Sequence, residues 1–186
     1  GCIAVTYALG GSPEIALTFI IVGAVFDFFD GMSARLLKVS SPIGKELDSL
    51  ADDVTFGVAP ASMVFNLLTV TEYPSFMEFT RPVLPFFAFV IAAFSALRLA
   101  KFNLDERQTS SFIGLPTPAN ALFWGSLIAG GQNFIESTPS IFYLTLLMIV
   151  VSSYLLIAEL PMFALKFKTW GWKGNEIKYI FLITCI

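Results

Sequence analysis

The sequence predicts an all-α fold, a polytopic transmembrane helical bundle, and three observations support this. Hydrophobic residues make up 56% of the 186-residue chain and charged residues only 13%, about half the charged fraction of an ordinary soluble domain. The apolar segments have the length of membrane-spanning helices. The basic residues fall almost entirely in alternate loops, as in multi-pass membrane proteins. We expect a single domain over residues 1–186.

The N-terminal half contains three predicted helices. Residues 1–9 are the end of a first helix, and a Gly-Gly-Ser-Pro turn follows it. A second helix covers 15–37, which at about 1.5 Å per residue is long enough to span a bilayer. A break at Pro42 separates it from a third helix over 44–70, in which we expect a kink at Pro60.

The C-terminal half continues the pattern with a fourth helix over 81–102, a fifth over 116–134 and a sixth over 140–160. A seventh helix begins near Ile177. The sequence begins without Met and both of its ends lie inside apolar runs. We therefore expect a truncated first helix, only the start of a seventh, and a longer natural chain.

The distribution of charge predicts an orientation. The loops after the second, fourth and sixth helices carry ten of the eleven Lys and Arg residues, and only Arg81 falls on the opposite side. By the positive-inside rule the basic loops face the cytoplasm. We expect an integral multi-pass membrane protein whose acidic functional region faces the cytoplasm, in the cell membrane if the source is prokaryotic.

The sequence contains no His and only two Cys, Cys2 and Cys185. This composition excludes Ser-His-Asp and Cys-His catalysis and His-ligated zinc, and it gives no Cys-based metal motif. Any chemistry must therefore use carboxylates, hydroxyls and the side chains of Lys and Arg.

Four aspartates are placed to converge. Asp27 and Asp30 share a helix face at i, i+3, and Asp48 and Asp52 are spaced i, i+4 on the next helix. A charge in hydrocarbon costs at least about 2.5–3.5 kcal/mol, so such a cluster requires a cation. Ligands that offer only oxygen suit Mg²⁺ or Mn²⁺. Four carboxylates can hold two such ions, an arrangement suited to displacement at phosphorus.

The same acids are compatible with a different class of protein, a divalent-cation transporter. Transport would require a polar path to the far face, and beyond Asp53 the second and third helices offer little polarity. Asp53 itself lies about 100° round the helix from Asp52 and is either a spare ligand or a pore-facing polar residue. The remaining polar residues on this path are Thr18, Thr55, Ser62 and Asn66.

The complete spacing, D-x2-D-G-x2-A-R-x8-G-x3-D-x3-D, resembles the signature of the CDP-alcohol phosphatidyltransferase family. The resemblance implies a six-helix membrane core that binds a CDP-linked lipid and two divalent ions. It implies that Asp27, Asp30 and Asp48 are metal ligands, and that Asp52 is the catalytic base and also touches a metal. The CDP site would be lined by the other four matching residues, Gly31, Ala34, Arg35 and Gly44.

Three further segments resemble the phosphatidylserine synthase branch of this family: GKELDSLADDVTFGVAPA at 44–61, SALRLAKFN at 95–103 and FIGLPTPANA at 112–121. This resemblance implies transfer of the phosphatidyl group of CDP-diacylglycerol to L-serine. Local departures are Asp53, where a less charged residue is expected, and Thr55 in place of Ser. The partners implied are these two substrates and the lipid bilayer, with a homodimer compatible with the family and no nucleic acid.

The acceptor is less clearly indicated than the donor. Arg98 and Lys101 are candidates for binding the carboxylate of serine, although anchoring of a helix end at the membrane surface explains them equally well. Glycerol 3-phosphate and inositol phosphate are the alternative acceptors. A phosphorylated acceptor calls for an additional basic cluster, for which Arg98, Lys101 and Arg107 are the candidates.

Overall fold

The computed structural model describes residues 1–37, 41–104, 112–136 and 139–162. Seven α-helices lie within these ranges, and the predicted helical architecture is confirmed in outline. The seventh helix predicted from Ile177 lies outside the described residues. The helices are α1 (Cys2–Leu9), α2 (Pro13–Leu37), α3 (Pro42–Asp52), α4 (Ala59–Val70), α5 (Val90–Leu104), α6 (Thr117–Glu136) and α7 (Pro139–Ile157).

The third predicted helix is present but is not uniformly α-helical. A π-helical turn at Asp53–Val58 joins α3 to α4. Pro60 lacks the N–H that would bond the carbonyl of Phe56, and its ring crowds that carbonyl. The wider turn immediately before it accommodates this interruption. The structure thus places a helical irregularity at Asp53–Val58, immediately before Pro60, and the kink expected at Pro60 stays a prediction.

The fourth predicted helix begins later than expected. Instead of starting at Arg81, the chain forms two 3₁₀ turns, at Glu78–Thr80 and Leu84–Phe89, before α5 begins at Val90. Pro82 and Pro85 cannot donate backbone hydrogen bonds and crowd the preceding turn. The two prolines therefore explain the delay.

A short antiparallel ladder modifies the purely helical prediction. Strands β1 (Phe112–Ile113) and β2 (Pro161–Met162) pair with Phe112 opposite Met162. Gly114 follows with φ +77°, a conformation that favours glycine, and its N–H donates to the carbonyl of Leu160 at 3.0 Å. The segment before α6 is thereby fixed to the chain that follows α7.

The core of the bundle is organised around α4, which packs against α1, α2, α5 and α6. Most of the side chains of α4 are buried. Large buried side chains from neighbouring segments, such as Phe56, Trp124 and Phe142, complete this core. The indole N–H of Trp124 donates to Oγ of Ser152 at 3.1 Å and so links α6 to α7.

Within the described ranges, three helical segments are long and apolar enough to cross a membrane: Pro13–Ala34, Pro42–Val70 and Leu84–Leu104. The surface of α2 exposes large apolar side chains, among them Phe26, Phe28 and Leu36. In water such a surface would be a liability, whereas hydrocarbon is a favourable solvent for it. The described helices are therefore those of a membrane protein.

Candidate functional site

Helix α2 approaches the π-helical turn closely just before its aspartates. A Cβ at Gly23 would lie 2.6 Å from Cγ2 of Thr55, so glycine lets the side chain of Thr55 lie directly against the backbone of α2. Asp27 follows Gly23 by about one helical turn. The close contact therefore places Asp27 beside the end of α3.

Helix α3 begins with an ordinary capping arrangement. Oγ of Ser41 accepts a hydrogen bond of 3.0 Å from the backbone N–H of Gly44, and Pro42 occupies the first turn, where its missing N–H costs nothing. The cap fixes the start of the helix that carries Asp48 and Asp52 on one face.

The structure brings three of the predicted aspartates together. Carboxylate oxygens of Asp27, Asp48 and Asp52 all lie within 4.8 Å of one another. Asp27 and Asp52 are partly buried and Asp48 is exposed. Three carboxylates at this separation repel one another, and their oxygen-only donor set fits a hard divalent cation. The cluster is thus a candidate metal centre.

Asp30 lies on the same helix but outside this group of three. It is exposed, and it remains near enough to interact electrostatically with Asp27 and Asp48. The three converging carboxylates can surround one ion, and a second ion would require Asp30 to join them. The role of Asp30 as a ligand stays a prediction.

The predicted nucleotide-binding residues flank the aspartates. Gly31 and Ala34 lie in the C-terminal half of α2, partly buried and exposed respectively. Gly44 lies in the first turn of α3. The backbone of Arg35 belongs to α2, and its side chain is outside the described part of the chain. Their contact with a nucleotide stays a prediction.

Arg98 is a buried cation beside the aspartates. Its side chain is 8% exposed, and it interacts electrostatically with Asp52. Nη1 donates to Oγ1 of Thr117 on α6 at 3.4 Å, and Nε has no hydrogen-bond partner among the described residues. Such a guanidinium retains capacity to bind an anion. Lys101, the other predicted acceptor residue, is exposed.

Helices α3 and α5 are also joined at the end that carries the metal site. Nζ of Lys45 donates to the backbone carbonyl of Asn103 at 2.9 Å. The side-chain amide of Asn103 donates to Oγ of Ser49, also at 2.9 Å. This connection holds the helix of Asp48 against the helix of Arg98.

Three buried polar residues lie within the 95–103 and 112–121 segments but were not singled out from the sequence: Ser95, Thr117 and Asn120. Oγ of Ser95 and both polar side-chain atoms of Asn120 lack hydrogen-bond partners among the residues that the structure describes. Ser95 and Asn120 each interrupt an apolar helical run, whereas Thr117 stands between two prolines at the start of α6. That interruption was the available signal, because a buried polar group is costly unless something binds it.

The comparisons with known proteins all indicate the same family. The family model for CDP-alcohol phosphatidyltransferase matches residues 2–170. A Bacillus subtilis protein named CDP-diacylglycerol–serine O-phosphatidyltransferase is 38% identical over 122 residues, which cover 63% of this chain and 62% of the relative. Proteins of the same name from Mycobacterium leprae and Helicobacter pylori are 32% and 29% identical, over 87% and 98% of this chain and 53% and 74% of the relatives. The chain thus spans less than two thirds of the Bacillus and Mycobacterium relatives.

Proposed function

This chain belongs to the CDP-alcohol phosphatidyltransferase family, and we propose that it is a CDP-diacylglycerol–serine O-phosphatidyltransferase of phospholipid biosynthesis. It would transfer the phosphatidyl group of CDP-diacylglycerol to the hydroxyl of L-serine, giving phosphatidylserine and CMP. The observation that carries the proposal is the convergence of Asp27, Asp48 and Asp52 within 4.8 Å. The names of the relatives support serine as the acceptor.

The donor would bind with its acyl chains in the bilayer and its pyrophosphate at the aspartates. Bound Mg²⁺ or Mn²⁺, two ions in our proposal, would neutralise the pyrophosphate and the charge that develops on the leaving CMP. The residues proposed to line the CDP site are Gly31, Ala34, Arg35 and Gly44, and the proposed ligands are Asp27, Asp30, Asp48 and Asp52.

In the reaction, the hydroxyl oxygen of serine would bond to the lipid-side phosphorus as the bond from that phosphorus to the CMP oxygen breaks. Asp52 would accept the hydroxyl proton, because it is the partly buried member of the metal group on α3 and a carboxylate within reach of that proton can act as a general base. Arg98 would bind the carboxylate of serine through its Nε–H, which has no hydrogen-bond partner among the described residues. Lys101 would contribute only its charge at the exposed helix end.

The cellular setting follows from the same proposal. We place the protein in the membrane as a multi-pass protein, with the site opening to the cytoplasm. The connected ends of α3 and α5, which carry Lys45 and Lys101, support this orientation because basic residues concentrate on the cytoplasmic side. We also propose a homodimer, and only family membership supports it.

The test is CMP release from CDP-diacylglycerol in detergent or liposomes, with the lipid product identified by mass spectrometry. We expect release with L-serine and only background without an acceptor. Faster release with glycerol 3-phosphate or inositol phosphate would assign another acceptor. Divalent-metal flux into proteoliposomes without CMP release would favour the transporter alternative.

A further inference from the structure

The first residue of α6, Thr117, carries a buried hydroxyl to which the proposed reaction gives no role. Its side chain is 1% exposed, and its Oγ1 accepts a hydrogen bond of 3.4 Å from Nη1 of Arg98 on α5. Both partners are buried, and a hydrogen bond in such a low-dielectric setting is stronger than one in water. The hydroxyl is therefore placed to influence the direction of the Arg98 guanidinium.

The backbone that carries Thr117 is restricted by its neighbours. Pro116 precedes it and Pro118 follows it. A proline fixes its own φ angle and also restricts the residue before it. The carbonyl of Pro116 accepts a hydrogen bond of 3.1 Å from the N–H of Asn120, which closes the first turn of α6. Few backbone conformations are thus open to Thr117.

The segment before α6 is anchored to the end of α7. The N–H of Leu115 donates to the carbonyl of Leu155 at 2.9 Å. The N–H of Gly114 donates to the carbonyl of Leu160 at 3.0 Å. Gly114 lies so close to this chain that an added Cβ would come within 2.8 Å of the carbonyl oxygen of Leu156. Because α7 also packs along α5, the start of α6 is fixed relative to α5.

The guanidinium of Arg98 has two further neighbours. Its Cζ lies 5.9 Å from the centre of the Phe102 ring, one turn along α5, within the range of a cation–π interaction. Asp52, the last residue of α3, acts on it electrostatically. Of these contacts, the hydrogen bond to Thr117 has the strongest directional preference, because hydrogen bonds weaken steeply when they bend. Thr117 is thus the contact that orients the plane of the guanidinium.

We propose that Thr117 is a positioning residue that holds the guanidinium of Arg98 in the orientation that binds the acceptor. The inference rests on the proposed function, in which Arg98 binds the carboxylate of serine. With Nη1 held by Thr117, the Nε–H of Arg98, which has no partner among the described residues, stays available to the acceptor. Without the hydroxyl the guanidinium turns more freely, and binding weakens because a smaller fraction of the molecules is in the competent orientation.

The experiment compares Thr117→Val with Thr117→Ser by measuring CMP release against the concentration of L-serine in detergent. Valine keeps the branched shape without the hydroxyl, and serine keeps the hydroxyl. We expect Thr117→Val to raise the KM for L-serine about 3–10-fold, as for loss of one hydrogen bond. Its kcat and its KM for CDP-diacylglycerol should change by no more than about twofold. Thr117→Ser should restore the KM for L-serine to within about twofold of the unaltered protein.

Thr145 on α7 supplies the matched control. It is also buried, but its hydroxyl donates to the carbonyl of Ile141 in its own helix at 3.0 Å. Thr145→Val should leave the KM for L-serine unchanged within about twofold. Thr117→Ala is a second variant in case the valine does not fold, because it differs from Thr117→Ser only in the hydroxyl. It should raise the KM as Thr117→Val does, and thermal unfolding shows which variants are folded.

The outcomes separate this inference from the proposed function. If the unaltered protein uses glycerol 3-phosphate instead of L-serine, the serine assignment is refuted. A rise in the KM for that acceptor in Thr117→Val but not in Thr117→Ser would still support the positioning role. If L-serine is the acceptor, equal KM values for Thr117→Val and Thr117→Ser refute the positioning role and leave the proposed function standing. An equal rise in Thr145→Val, or a fall in kcat with KM unchanged, refutes it likewise.

Discussion

The side-chain amide of Asn103, near the end of α5, donates a 2.9 Å hydrogen bond to Oγ of Ser49 in α3. Lys45 closes the connection by donating to the backbone carbonyl of Asn103. One side of the contact belongs to the helix that carries Asp48 and Asp52, and the other to the helix that carries Arg98. The relative position of metal site and buried cation therefore depends on a few polar contacts at one end of the bundle.

Replacing Asn103 with Ala should loosen the metal site. Loss of this hydrogen bond should cost about 0.5–1.5 kcal/mol of stability and raise the metal concentration needed for half-maximal CMP release. The matched control is Asn66→Ala, which removes a 3.2 Å bond to the carbonyl of Leu9, between α4 and the end of α1. Thermal unfolding in detergent should show similar losses for both variants. An equal change in metal dependence in the control would contradict a specific effect.

Asp52→Asn should separate binding from turnover. The amide keeps an oxygen that can ligate a metal but cannot accept the proton of the serine hydroxyl. We expect kcat to fall about 10²–10⁴-fold, the usual range for a general base, with CDP-diacylglycerol binding largely retained. Single-turnover CMP release and lipid binding measured on the same preparation test this. Near-normal turnover would remove Asp52 as the base.

Chelation of divalent metal should abolish CMP release, and Mg²⁺ or Mn²⁺ should restore it. Asp27→Ala should raise the metal concentration for half-maximal activity by at least about 10–100-fold, since even loss of a group that supports a ligand has this effect. If two ions act, activity should depend on metal with an order of about two. Asp30→Ala should then reduce the order to about one. An order of one in the unaltered protein would contradict the second ion.

Gly57→Ala should destabilise the fold. The added methyl group would clash with Oδ1 of Asp53 and lie 3.0 Å from Cβ and Oγ of Ser95, and overpacking of this kind costs about 1–3 kcal/mol. Gly130→Ala is the matched control, because nothing lies within 4 Å of its added Cβ and alanine favours a helix interior by roughly 0.5–1 kcal/mol. The unfolding temperature should therefore fall for the first variant and rise for the second. Equal shifts would show that α5 does not pack closely at Gly57.

Several features of the fold were predictable because they depend on local sequence. Helix positions followed from apolar length, and the break at Pro42 followed from the chemistry of proline. Hydropathy alone places the start of α5 too early, at Arg81, because it includes Pro82 and Pro85 in the helix. The π-helical turn at Asp53–Val58 was missed because its cause combines Pro60 with the close packing of Gly57 against α5.

By itself the sequence determined the membrane character of the chain and the identity of the acidic cluster, because hydropathy and the i, i+3 and i, i+4 spacings are properties of single helices. Only the tertiary structure decided which carboxylates meet. It grouped Asp27 with Asp48 and Asp52 and left Asp30 outside. It also turned Asp53 towards Ser95 and buried Arg98 beside Asp52. These relationships depend on how closely two helices approach, and that distance is set by packing across the bundle.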